Sequence, residues 1–66
     1  MLEPGQQVYA PHPLILLGLH IGAAQQGKII SRWRDVDGSW LYRVVWEPDA
    51  VVLTAREGEI EAVKED

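Results

Sequence analysis

The side chains of this chain best suited to recognition are its five aromatic residues, Tyr9, Trp33, Trp40, Tyr42 and Trp46; there is no Phe. Clustered indole and phenol rings can cage a methylated or quaternary ammonium, with Asp35, Asp37 or Asp49 at the rim. They can equally line a groove for a proline-rich peptide. The competing assignment is core packing, because a very small domain needs large side chains to fill it. Tyr42 and Trp46 are assigned to the core on that ground. Trp33 and Trp40, which flank a turn, form with Tyr9 the candidate binding patch.

Other chemistries find less support. Catalysis would have to be assembled from Ser31 or Ser39 with His20 and Asp35, and neither serine lies in a nucleophile motif. Gly22 and Gly27 lack the following Lys-Ser or Lys-Thr of a phosphate loop. No catalytic residue is therefore assigned and no cofactor is implied. His12 and His20 cannot close a tetrahedral metal site by themselves, and without cysteine there is no thiolate to complete one, so no metal ligand is assigned. Lys28, Arg32, Arg34 and Arg43 form a modest basic set, and simple alternation places Lys28, Arg32 and Arg34 on one side of a strand. The formal charge of −4, with acids gathered at Glu57, Glu59, Glu61, Glu65 and Asp66, argues against strong non-specific binding to nucleic acid.

The remaining feature is apolar. Leu14, Ile15, Leu16, Leu17, Leu19 and Ile21 crowd a segment punctuated by Gly18. It is much too short to span a bilayer. It has no basic flank before it, and Glu3 precedes it, so it is not read as a secretory signal. Two roles compete for it: a lid over the core, or an exposed association surface. The second is preferred, with Leu14, Leu16, Leu17, Leu19 and Ile21 as interface residues and a protein partner or a homo-oligomer as the expected consequence. The lack of cysteine fits the cytoplasm, and no membrane association is expected.

These groups must be positioned by a single domain spanning residues 1–66, since 66 residues make one at most. Such a chain buries only roughly 60% of its unfolded surface, so a partner is one route to stability. Val8–Ala10 is expected as a first strand, confined by flanking prolines. Residues 11–26 are expected as a long apolar loop between strands one and two, with room for one helical turn. Residues 28–34 and 40–46 read as strands two and three around the Asp37-Gly38 hairpin signal. In the latter, alternation puts Trp40, Tyr42, Val44 and Trp46 on one face. Pro48-Asp49 is expected to make a type I turn. Val51–Thr54 and residues 60–63 complete five strands, with helix as a weaker alternative over 56–64 and a frayed end at 64–66.

The fold class expected is therefore all-β, a small five-stranded barrel. Pro4-Gly5 before Val8, then Gly27-Lys28-Ile29, Tyr42-Arg43-Val44-Val45-Trp46 and Glu59-Ile60-Glu61 resemble the frame of SH3-like barrels, a layout shared by Tudor domains, KOW modules and the variable chain of ferredoxin–thioredoxin reductase. Residues 22–30, Gly-Ala-Ala-Gln-Gln-Gly-Lys-Ile-Ile, are similar to the second-strand entry of plasmid-borne type II dihydrofolate reductases, SH3-like protomers that assemble around a central pore. That family places Val-Gln-Ile-Tyr in its pore. The matching positions here are Val52-Leu53-Thr54-Ala55, without the glutamine amide or tyrosine hydroxyl, so the resemblance carries a scaffold and not an activity. The function expected is a non-enzymatic interaction module or accessory subunit. The alternatives are a nucleic-acid-binding small barrel and a pore-type oligomeric enzyme.

Overall fold

The computed structural model describes residues 2–64; of the end expected to fray, 64–66, Glu65 and Asp66 lie outside them. The chain is all-β, and its described residues form seven strands: β1 (Gln7–Tyr9), β2 (Leu14–Leu16), β3 (Leu19–Ile21), β4 (Gln26–Arg34), β5 (Trp40–Trp46), β6 (Val51–Arg56) and β7 (Glu61–Ala62). Five of them form one antiparallel sheet in the order β6-β5-β4-β1-β7, while β2 and β3 form a separate two-stranded hairpin.

Two expectations are corrected. The sheet is not a closed barrel, because β6 and β7 sit at its two ends and no ladder joins them among the described residues. A single 3-10 turn, Glu57–Glu59, leads from β6 to a β7 of only two residues. That length is too short to close the sheet. The segment between strands one and two is not a loop. Leu14, Ile15 and Leu16 pair with Ile21, His20 and Leu19 across a two-residue turn. In that turn Leu17 (φ 49°) and Gly18 (φ 80°) both take positive φ, the signature of a type I′ connection.

The core lies on one face of the sheet. Val8, Ile29, Tyr42, Val44, Trp46, Leu53, Ala55 and Ile60 are buried there, and Leu16 and Ile21 of the hairpin close over them. The period-two pattern of β5 is thus realised as expected, with Tyr42, Val44 and Trp46 inward. Gly27 permits a close approach of β4 to β5. A Cβ at that position would lie 2.6 Å from Val44 Cγ1 and 2.8 Å from the Val45 carbonyl oxygen.

The 35–38 connection is a type I turn closed by Gly38 N–H donating to the Asp35 carbonyl (3.0 Å), with Gly38 at φ 87°. The backbone N–H of Ser39 donates to Asp37 Oδ1 and holds that carboxyl below its usual range. The Glu47-Pro48 peptide is cis and Ala50 has φ 57°.

One irregularity decides what each face carries. Ile29 pairs with Val44, but Ser31 pairs with Arg43, so Ile30 is an extra residue bulged out of β4. A bulge shifts the alternation by one position. Beyond it, Arg32 and Arg34 stand opposite Tyr42 and Trp40 on the inner face, whereas Lys28, opposite Val45, is on the outer face. The single-sided stripe of Lys28, Arg32 and Arg34 expected from unbroken alternation does not form.

Candidate binding surfaces

The aromatic residues assigned to a patch are dispersed by the same bulge. Trp33 stands opposite Leu41 on the outer face, and the Arg43 guanidinium lies 5.4 Å from its ring centroid. Trp40 is on the inner face, packed against the core margin, with the guanidinium carbons of Arg32 and Arg34 each 5.1 Å from its ring. Tyr9 is outer-facing but pairs with Gln26, seven residues along β4 from Trp33, or about 23 Å at the usual strand rise. Its hydroxyl donates to Glu61 Oε2 at 2.7 Å. That bond to a carboxylate raises the Tyr9 pKa above its ordinary value. No single surface unites the three.

Tyr42 is fully buried as a residue, with its hydroxyl at the core margin. The hydroxyl accepts from the Leu2 backbone N–H (3.2 Å) and donates to Glu57 Oε1 (3.0 Å). Arg32 Nη1 donates to the Leu2 carbonyl at 2.7 Å. The N-terminal segment, β4, β5 and the 3-10 turn are thereby tied together. Burial, then the Glu57 carboxylate, pushes the Tyr42 pKa up.

The β2–β3 hairpin divides the expected interface residues in two. Leu16 and Ile21 are buried and Leu14 packs against the core, so these serve the lid role. At the tip Leu17 is 92% exposed, and Ile15, on the side away from the core, is 67% exposed; Leu19, paired with Leu16, is on the core-facing side but remains 49% exposed. Beside this hairpin lies a cleft of about 110 Å³. Its apolar wall is Leu19, Ile21, Trp46, Val51 and Leu53, and His20, Gln25, Glu47 and Asp49 supply its polar groups. The Trp46 indole N–H in that region is buried without a protein partner. Sequence reasoning assigned Trp46 to the core alone; its place at the cleft depends on the hairpin, which was not foreseen.

Of the residues named for catalysis, Ser31 lies in β4, His20 in β3, and Asp35 and Ser39 at the β4–β5 turn, where the Asp35 carboxylate accepts from the Val36 N–H. His12 and His20 are exposed, and no group of three potential metal ligands gathers among the described residues. At the positions matched to the reductase pore, Leu53 and Ala55 are buried while Val52 and Thr54 face out. Among the described residues no helix is long and apolar enough to cross a membrane. In comparisons with family models, curated proteins and solved structures, nothing matches the chain.

Proposed function

We propose that this domain is a non-enzymatic interaction module that docks on a protein partner, either a second copy or a larger subunit, through the tip of its β2–β3 hairpin. The strand order β6-β5-β4-β1-β7 supports an open SH3-like frame behind that hairpin.

The observation that carries the reading is Leu17. It occupies the first central position of a type I′ turn, where Asn, Asp and Gly are preferred because their backbones tolerate positive φ. Leucine pays about 1–2 kcal/mol for a left-handed backbone conformation. It recovers nothing by packing, since its side chain is 92% exposed. Neither local turn chemistry nor the core accounts for a leucine here, whereas a partner's apolar pocket does. Ile15, exposed on the side of the hairpin away from the core, widens the contact.

The test is Leu17→Asn. The substitution suits the turn, so the thermal transition should hold or rise. Burial of a leucine at an interface is worth about 1.5–3 kcal/mol, so association should weaken about 10- to 150-fold. Sedimentation velocity over a concentration series reads self-association, and quantitative co-purification from the native cell reads a larger partner. The reading is overturned if the wild type stays monomeric throughout the series and its co-purifying proteins are unchanged by Leu17→Asn.

A further inference from the structure

The outer face of β4, β5 and β6 segregates charge in a way the overall balance conceals. The register sets three rows across these strands: Trp33–Leu41–Arg56, Ser31–Arg43–Thr54 and Lys28–Val45–Val52. These nine positions hold three of the chain's six cations and none of its ten acids. Lys28, Arg43 and Arg56 fall on a diagonal, each step being a cross-strand diagonal of about 7–8 Å. From the end of the face the half-buried Asp35 approaches the exposed Arg56 at 4.0 Å, and Asp37 also lies within reach of the Arg56 charge; pairs this open to solvent are worth little in water. Arg43 stacks on Trp33, whose ring is partly exposed, and the bulged Ile30 and Val52 are exposed beside them.

From this juxtaposition we propose that the outer face binds single-stranded nucleic acid, with the Trp33–Arg43 pair receiving a base and Lys28, Arg43 and Arg56 the phosphates. A base offers a planar π-face to an indole and to a guanidinium, and such stacking tolerates any sequence. The hydroxyls of Ser31 and Thr54 flank Arg43 and suit sugar or phosphate oxygens. A duplex is disfavoured, because groove reading needs a protruding helix or ribbon and this face is a sheet. An acidic peptide would use the cations but not the exposed indole. The surface is separate from the hairpin tip, and its test does not depend on Leu17.

The test is fluorescence anisotropy with labelled 12-nucleotide oligo(dT) and oligo(U) at low salt. Both should bind, and three phosphate contacts give a slope of log K against log salt of about −2. Trp33→Ala should weaken binding about 5- to 150-fold. Arg43→Gln should weaken binding and reduce the slope. Arg34→Gln removes the same charge from the inner face and should leave affinity unchanged. These residues are exposed, and circular dichroism with thermal melts confirms that each variant remains folded. The proposal is overturned if no oligonucleotide binds at 20 mM salt, a condition chosen to be about as permissive as screening allows. It is equally overturned if Arg34→Gln matches Arg43→Gln, if Trp33→Ala has no effect, or if inorganic polyphosphate or poly-glutamate competes as well as unlabelled oligo(dT) at equal charge.

Discussion

Tyr42→Phe removes one oxygen and with it a junction between distant parts of the chain. The hydroxyl donates to Glu57 Oε1 and accepts from the Leu2 N–H. A hydrogen bond to a charged group contributes about 1.5–3 kcal/mol, and the lost Leu2 contact less, since water can reach a half-buried amide. Glu57 is exposed, which moderates the first figure. The expected loss is about 2 kcal/mol, against a total of roughly 3–10 kcal/mol for a chain of this length. That corresponds to a fall in Tm of about 8–16 °C. Urea titration should show a lower midpoint with the same slope, because the exposed surface of the unfolded chain barely changes.

The pH dependence carries its own sign. The Tyr42 pKa is raised in the folded state above its ordinary 10.0, first by burial and then by Glu57. The unfolded chain therefore releases this proton at lower pH than the folded one. The stability from this group is complete below pH 10 and declines as pH rises through the folded value. Wild-type stability should fall above pH 10, and Tyr42→Phe should lose part of that slope, with Tyr9 supplying a remainder of the same sign. A loss of less than about 0.5 kcal/mol, within the ordinary range for inert surface changes, together with an unaltered alkaline slope, would refute the reasoning.

Two further predictions concern the sheet itself. Gly27→Ala should destabilise by at least about 1–3 kcal/mol, because its Cβ meets the Val45 carbonyl at 2.8 Å and backbone does not yield as a side chain does; Gly58→Ala, with open space around it, should be near neutral in the same melts. Deleting Ile30 leaves Ile29 on Val44 and Ser31 on Arg43 as consecutive pairs, so a cooperative transition should survive, whereas deleting Arg43 forces Tyr42 and Val44 to opposite faces and should abolish it. An unfolded Ile30 deletion, or a folded Arg43 deletion, contradicts this register.

The strands with strong period-two patterning were legible from residue types. Residues 40–46 alternate as expected, the 35–38 turn carries its glycine at the positive-φ position, and Tyr42 and Trp46 are core. The strand expected at Val51–Thr54, β6, runs two residues further, to Arg56, and residues 57–59 form the one helical turn in the stretch where helix was the alternative. The β2–β3 hairpin was hidden because its turn is Leu-Gly instead of Asn-Gly, so the usual signal was absent. The bulge was hidden because Ile30-Ser31 contains no glycine or other local marker. That omission propagated: one unforeseen extra residue reassigned Arg32, Arg34 and Trp33 between faces, and with them the candidate surfaces.

Alternation along β5 separates two kinds of mutational history. Tyr42, Val44 and Trp46 answer to packing, while Leu41, Arg43 and Val45, on the same seven-residue strand, answer to solvent and to whatever lies against the outer face. Substitutions on opposite faces share few partners, and changes without shared partners combine nearly additively. The outer face can drift from one ligand chemistry to another by point substitution while the core stays fixed. A residue gained or lost in β5 has no such freedom, because it exchanges the two sets at once. Selection on this strand should therefore be permissive toward replacement on one side and severe toward any change in its length.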